Sequence, residues 1–174
     1  LHPRVRRQRQ MCIRDRLCTY IHSAGGEAYA VVQSMDYEKM IPMYVNAGLE
    51  IDVQKVRLDN LLMCLELISG EGKLVGGATV IYSEHEYVLK AIAIEKEYQG
   101  KKLGTLLVTK VIELVKGLGA GRLMLNAKVP GFYKKMGFEI VPRDMAPGIS
   151  DCLSCHRYHN GCESEIMKME WKLF

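Results

Sequence analysis

The stretch Ala91-Ile-Ala-Ile-Glu-Lys-Glu-Tyr-Gln-Gly-Lys-Lys-Leu-Gly-Thr105 changes character twice within fifteen residues. Its first four residues are apolar and continue the run from Tyr87, which reads as a buried strand. Its middle is polar and contains Gly100. From Lys101 onward Leu103, Leu106, Leu107, Val111, Leu114, Val115 and Leu118 recur at i, i+3, i+4 spacing, the pattern of an amphipathic helix. Gly117, Gly119 and Gly121 close that helix. A strand, a glycine turn and a helix in this order bring backbone N–H groups to an anion. Glycine lets the backbone approach closely, and the helix start adds unpaired donors and the positive end of its dipole. Lys101 and Lys102 add charge, so the turn reads as a cradle for a diphosphate. Neither the Walker spacing nor the dinucleotide fingerprint is present, which removes the usual supports for nucleotide hydrolysis and hydride transfer.

Outward from this stretch, the pattern predicts strands at 28–33, 61–68, 74–82 and 87–94 on its N-terminal side. A helix carrying Met40, Ile41, Tyr44 and Val45 follows the first of these. Ser34 is expected to cap it and Pro42 to kink or divide it. Ser83-Glu84-His85-Glu86 makes a polar hairpin tip. On the C-terminal side lie a strand at 123–127, a short helix at 131–136, a strand at 138–141 and a last strand at 165–173. This order fits a mixed sheet with helices packed on its faces.

Two segments carry a family resemblance. Gln99-Gly100-Lys101-Lys102-Leu103-Gly104 resembles the coenzyme A motif of the GNAT N-acetyltransferases, Gln/Arg-x-x-Gly-x-Gly/Ala after a strand. Lys102 stands where the motif has its middle glycine. Downstream, Phe132-Tyr133-Lys134-Lys135-Met136-Gly137-Phe138 is similar to the family's Phe-Tyr-x-x-x-Gly-Phe signature, and Leu125-Asn126-Ala127 to the strand before it. The linker Lys128-Val129-Pro130-Gly131 is shorter than is usual in the family. The resemblance covers roughly residues 28–142. A Cys-x2-Cys…Cys tail like the one described below recurs in some bacterial members.

The resemblance implies an α/β fold with a mixed, mostly antiparallel central sheet and helices on both faces. It implies acetyl transfer from acetyl-CoA to an amine by direct attack. Ile92, Ala93 and Ile94 would lie along the cofactor, with a backbone donor near Ile94 polarising the thioester carbonyl. The backbone of Gly100, Lys101, Lys102, Leu103, Gly104 and Thr105 would hold the diphosphate and Asn126 the pantetheine arm, with Gln99 and Phe132 also binding the cofactor. Tyr133 matches the tyrosine that protonates the departing thiolate. Glu86, with Glu84 and His85 beside it, is the candidate general base. The alternative open to the same residues is a non-catalytic acyl-CoA sensor.

Cys152, Cys155, Cys162 and His159 (or His156) form a set of soft ligands suited to zinc, at a spacing shorter than in common zinc fingers. Free thiols and a redox pair are the competing readings. A zinc-stabilised nucleic-acid or interaction protein is a further alternative, but charge argues against it. Residues 1–16 hold six arginines against Asp15, a local +5 within a total of +4, so the remainder carries −1. That arginine segment is similar to a translated sequencing-adapter remnant, and the expectation is a single domain at 17–174 with a cysteine-containing loop at 143–162. No apolar run reaches the roughly 20 residues of a membrane helix. The sequence therefore reads as cytoplasmic, a monomer or homodimer acting on a small-molecule amine, with no nucleic-acid or membrane partner.

Overall fold

The computed structural model describes residues 19–24, 26–146, 149, 155–157 and 160–173. The elements, in chain order, are β1 (Thr19–Ala24), β2 (Glu27–Ser34), α1 (Tyr37–Asn46), β3 (Leu61–Ser69), β4 (Leu74–Ser83) and β5 (Glu86–Ile94). A 3₁₀ turn (Lys96–Tyr98) leads into α2 (Leu103–Gly117), followed by β6 (Arg122–Ala127), α3 (Pro130–Lys135), β7 (Glu139–Ile140) and β8 (Glu165–Glu170). The class is mixed α/β with a mostly antiparallel sheet, as the sequence implied. The contacts divide the chain into two compact units. One is the chain through Thr79 with Ala91–Val108, the other Val80–Lys90 with Thr109 onward.

In the first unit the strand order is β1-β2-β3-β4-β5. β2 and β3 run antiparallel with Val31 opposite Leu67 and Gln33 opposite Leu65. α1 lays Tyr37, Met40, Ile41, Met43 and Tyr44 against Cys64, Ala91 and Ala93. Gly77 makes that contact close. A Cβ there would lie 2.0 Å from the Met40 methyl and 2.5 Å from the Leu65 carbonyl oxygen. The helix thus rests on a strand that has no side chain at the contact point.

Two details of α1 differ from the expectation. Its N-cap is Asp36, whose carboxylate accepts the Lys39 N–H at 3.1 Å, while the Ser34 hydroxyl meets the Asp36 N–H. Pro42 lies inside α1 without dividing it. The buried residues on both sides of the proline hold the helix through a single lost N–H, which shows how packing outweighs propensity. β1 was not anticipated; it pairs antiparallel with β2, Tyr20 opposite Val31.

In the second unit the order is β5-β6-β8-β7. β5 and β6 pair in parallel, Val88 beside Met124 and Leu89 beside Leu125. Parallel neighbours need a crossover, and α2 supplies it in the chain. β6 and β8 are antiparallel, with Leu125 opposite Met167 and Asn126 opposite Ile166. Leu123, Met124, Leu125, Ile166 and Met167 are all buried. β8 stops at Glu170, because the Trp171 N–H turns to the Gly121 carbonyl and its indole N–H to Ala120.

Candidate active site

The turn after β5 is held by its own side chains. Gln99 donates its amide N–H to the Ile94 carbonyl at 3.0 Å, tying the polar turn back to the end of the strand. The Glu95 N–H bonds the Val75 carbonyl at 2.8 Å, and the Tyr98 N–H bonds Glu95. Gly100 then takes a left-handed backbone (φ 79°), and a Cβ on it would meet nothing within 4 Å. Lys102 is also left-handed (φ 60°), a conformation that costs an L-residue on the order of 1 kcal/mol. The first helical hydrogen bond off this turn runs from the Leu106 N–H to the Lys102 carbonyl. The N–H groups of Leu103, Gly104 and Thr105 therefore precede the ladder and project from the helix end. No acidic residue occupies the first turn of α2. Open space at Gly100, a helix start with projecting donors and no carboxylate in the first turn are the features by which a helix end can receive an anion.

The two lysines of the turn have different surroundings. Lys101 Nζ lies 2.7 Å from Glu27 Oε2 and 3.3 Å from the Tyr29 hydroxyl, and it stacks over the Tyr98 ring at 5.5 Å. Tyr29 meets Tyr98 edge-on at 6.3 Å, and Lys73, itself 2.8 Å from Glu95, also lies over the Tyr98 ring at 5.6 Å. Hydrogen bonds from Lys101 and Tyr29 hold the Glu27 carboxyl below its ordinary range; the Glu27 bond raises the Lys101 ammonium in turn. The charge of Lys101 is thus paired with Glu27 in this structure. The Lys102 side chain is exposed and makes no hydrogen bond or ion pair with the described residues. The Glu27–Tyr29–Tyr98 clamp is not legible in the sequence, because Glu27 and Lys101 lie 74 positions apart.

Ala93 is buried in β5, and Ile92 and Ile94 are half-buried on either side of it. In the second unit Asn126 is half-buried in β6. Tyr133 in α3 is buried, its ring edge-on to Phe132 at 5.0 Å and to Phe138 at 5.5 Å. Burial pushes its phenol up to about 12, so it stays protonated through the neutral range. Its hydroxyl makes no hydrogen bond with the described residues. A protonated hydroxyl with an uncommitted O–H is what a proton donor needs.

The Acetyltransferase (GNAT) family profile matches residues 42–138, more than half of the chain. The chain belongs to the GNAT acetyltransferase family. The family is one of acetyltransferases. Among solved structures, the chain is similar to N-acetylglutamate synthase from Neisseria gonorrhoeae in complex with coenzyme A and N-acetyl-glutamate. The identity is 18% and the TM-score 0.64, covering 82% of this chain and 35% of the synthase. The chain thus spans about a third of that enzyme's length. It is similar to the ribosomal-protein-S18-alanine N-acetyltransferase of Escherichia coli at 19% identity and TM-score 0.61, covering 83% and 96%. A GNAT acetyltransferase of Staphylococcus aureus Mu50 aligns at 17% identity and TM-score 0.65, covering 83% and 99%. At these identities the likeness is one of fold.

For a GNAT acetyltransferase the chain's candidate base is poorly placed. Glu86 is buried at the start of β5, and both of its oxygens are taken by Arg122, the Nε contact at 2.8 Å. Arg122 also reaches Glu170 at 3.6 Å. Both carboxylate oxygens of Glu86 thus already accept charge-assisted hydrogen bonds from one guanidinium. The hairpin tip itself, Glu84 and His85, is in left-handed conformation (φ 49° and 67°).

The described part of the cysteine cluster gives no support to a zinc site. Cys152 and His159 lie outside the described residues. Among the described residues no group of three or more His, Cys, Asp or Glu side chains converges on one point, and Cys155 and Cys162 are free thiols. The Cys162 thiol lies 2.7 Å from the Ser164 hydroxyl, whose hydrogen bond lowers it from its ordinary range. Cys64 is buried and pushed up to about 11 by desolvation, so it is a core thiol rather than a nucleophile. Among the described residues no helix is long and apolar enough to cross a membrane.

Proposed function

We propose that this GNAT enzyme acetylates the amine of a small molecule, an amino acid or a related amine, by direct attack on acetyl-CoA. Bound acetyl-CoA supplies an activated acetyl group. The N–H groups of Leu103, Gly104 and Thr105, with the backbone of Gly100 to Lys102, bind its diphosphate; Gln99 holds the turn in shape. Ile92, Ala93 and Ile94 line the pantetheine, and a β5 backbone N–H near Ile94 polarises the carbonyl. Asn126 and Phe132 position the arm. Tyr133 holds the proton for the thiolate.

The observation that carries this reading is the turn: an α2 start with projecting N–H groups and no carboxylate, inside the segment that the family profile matches. Direct attack is supported by the cysteines, because Cys64 is inert and Cys162 is bonded to a serine rather than to a base. With Glu86 locked to Arg122, the amine loses its proton to water or arrives neutral. A small-molecule amine is supported by the Neisseria synthase, whose complex contains an acetylated amino acid. A monomer or homodimer in the cytoplasm, with no nucleic-acid or membrane partner, completes the reading; a body charge of −1 outside residues 1–16 is in keeping with it.

The test is calorimetric titration with acetyl-CoA of the chain and of its Gly104→Glu variant, which puts a carboxylate at the helix start. Release of free thiol is then followed over a panel of amines, amino acids first. Micromolar binding lost in the variant, with turnover on one amine class, supports the proposal. Binding without turnover on any amine makes the chain a sensor instead. No binding by the folded parent chain overturns both.

A further inference from the structure

The parallel strands β5 and β6 open with Glu86 and Arg122, a pair that the cofactor turn does not use. The pairing is one-sided. Arg122 directs its Nε and Nη2 to the two oxygens of Glu86, the Nε contact at 2.8 Å. A guanidinium carries five N–H donors in a planar fork, so this bond leaves the Nη1–Nη2 edge for a second partner. Glu170 is the other carboxylate near that edge, but its oxygen stands 3.6 Å from Nη1 and is already bonded to Lys168 at 2.8 Å. Lys168 is also the main reason that the Glu170 carboxyl lies below its ordinary range, ahead of Arg122. Glu86 is buried, whereas the Arg122 side chain is 42% exposed. The guanidinium is thus anchored from inside and accessible from outside. It lines a cleft of about 700 Å³, a volume typical of small-molecule sites. Gly119-Ala120-Gly121 lines the same cleft with almost no side-chain bulk, and Tyr87 and Trp171 bring rings to it. The Trp171 indole N–H is held by the Ala120 carbonyl, so the ring offers apolar surface rather than a donor. None of these residues belongs to the turn from Gln99 to Thr105.

We propose that this cleft is a second ligand site, which takes a small organic carboxylate with a flat apolar body. The carboxylate bonds the open edge of Arg122 through both oxygens, the geometry in which a guanidinium fork matches a planar anion. Glu86 is a positioning residue: it fixes the plane of the guanidinium from the buried side. Glu170 is a loose occupant of the same edge and gives way to the ligand, keeping its bond to Lys168. The apolar body lies against Tyr87 and Trp171. A cationic ligand fits less well, because Arg122 and the exposed Lys172 line the cleft and Lys116 already sits over the Trp171 ring at 5.0 Å. The inference is independent of the acetyl-CoA reading, and it gives Glu86 a part in recognition instead of proton transfer.

Trp171 is the single tryptophan of the chain, so its fluorescence reports on the cleft directly. The probe is phenylacetate at millimolar concentration, with phenylacetamide as its uncharged counterpart, titrated into the parent chain and its Arg122→Lys and Glu170→Gln variants. The expected result is a saturable change with phenylacetate in the parent. Phenylacetamide is expected to bind the parent about tenfold more weakly, and Arg122→Lys to lose about tenfold on phenylacetate. Glu170→Gln removes the competing carboxylate and is expected to bind phenylacetate about threefold more tightly than the parent. Damage to the fold does not produce opposite responses from two variants of one cleft. Because Arg122→Lys also loosens Glu86, the deciding variant is Glu170→Gln, whose side chain is half exposed and whose change leaves the Glu86–Arg122 pair in place. The inference is overturned by a parent chain that shows no saturable change with phenylacetate. It is equally overturned by phenylacetamide binding as well as phenylacetate, or by Glu170→Gln binding no more tightly than the parent.

Discussion

Tyr133 and Glu86 show how far one residue's chemistry is legible from its neighbours in sequence. Tyr133 falls in an aromatic signature, and the structure gives it a buried ring and an uncommitted hydroxyl. Tyr133→Phe is expected to keep cofactor affinity and lower kcat by about 10²-fold, read from thiol release on the best amine. Unchanged turnover would remove Tyr133 from the proton path. The same phenol governs alkaline behaviour. Its folded value of about 12 lies above the ordinary 10, so the folded state favours the protonated form. That contribution is fully present below pH 10 and is lost as pH rises toward 12. Midpoints measured across pH 9 to 12 should fall less steeply in Tyr133→Phe than in the parent. Glu86 reads as a hairpin-tip acid in sequence, because the partner that disarms it is 36 positions away. Glu86→Ala leaves Arg122 without its main carboxylate and is expected to lose about 2 kcal/mol, less than a fully buried pair because the arginine is partly exposed. Retained kcat per folded molecule, with a lowered urea midpoint, is the expected pair of readings. A pH-dependent loss of kcat at full stability would restore Glu86 as the base.

At the scale of elements, long periodic segments were easy to read and short ones were not. α2 shows seven apolar positions in helical register, and its observed span differs from the pattern by only one or two residues at either end. β4 and β5 were legible because a charged tip separates two apolar runs. β1 was not, since six residues of mixed character beside an arginine-rich segment carry no clear period. The sequence pattern runs past the end of β8, because Trp171 and Leu173 alternate with β8 in sequence while the Trp171 indole N–H bonds Ala120. The α1–β4 contact was invisible too: two adjacent glycines in a strand pattern say only that something comes close. Gly77→Ala puts a carbon 2.0 Å from Met40 and 2.5 Å from the Leu65 oxygen. The methionine end can swing away, but the strand carbonyl cannot. Gly77→Ala is therefore expected to lose about 3 kcal/mol in urea unfolding, and Met40→Ala added to it should fail to restore stability. Rescue by the second substitution would mean that the methyl contact alone sets the spacing.

For the whole molecule, the sequence separates charge from activity, and the separation can be tested. Residues 1–16 carry +5, and the rest of the chain −1, so the net charge of +4 describes that segment rather than the residues that match the family. An electrostatic partner such as nucleic acid would follow the segment. A cofactor held by the turn and α2 would not. Ligand that binds only the folded chain stabilises it in proportion to the logarithm of its concentration, about 2.7 kcal/mol at a hundred times Kd. In a chain of this length that raises the thermal midpoint by roughly 5–10 °C. The expected result is the same rise with acetyl-CoA in the full chain and in a chain lacking residues 1–16, whereas retention on a cation exchanger is lost on truncation. Equal shifts place cofactor binding in the residues that the family profile matches, as the geometry of Gly100 to Thr105 requires. A shift that disappears with the arginines would mean that their charge, and not the helix start, holds the phosphates, and the assignment of the turn would fall.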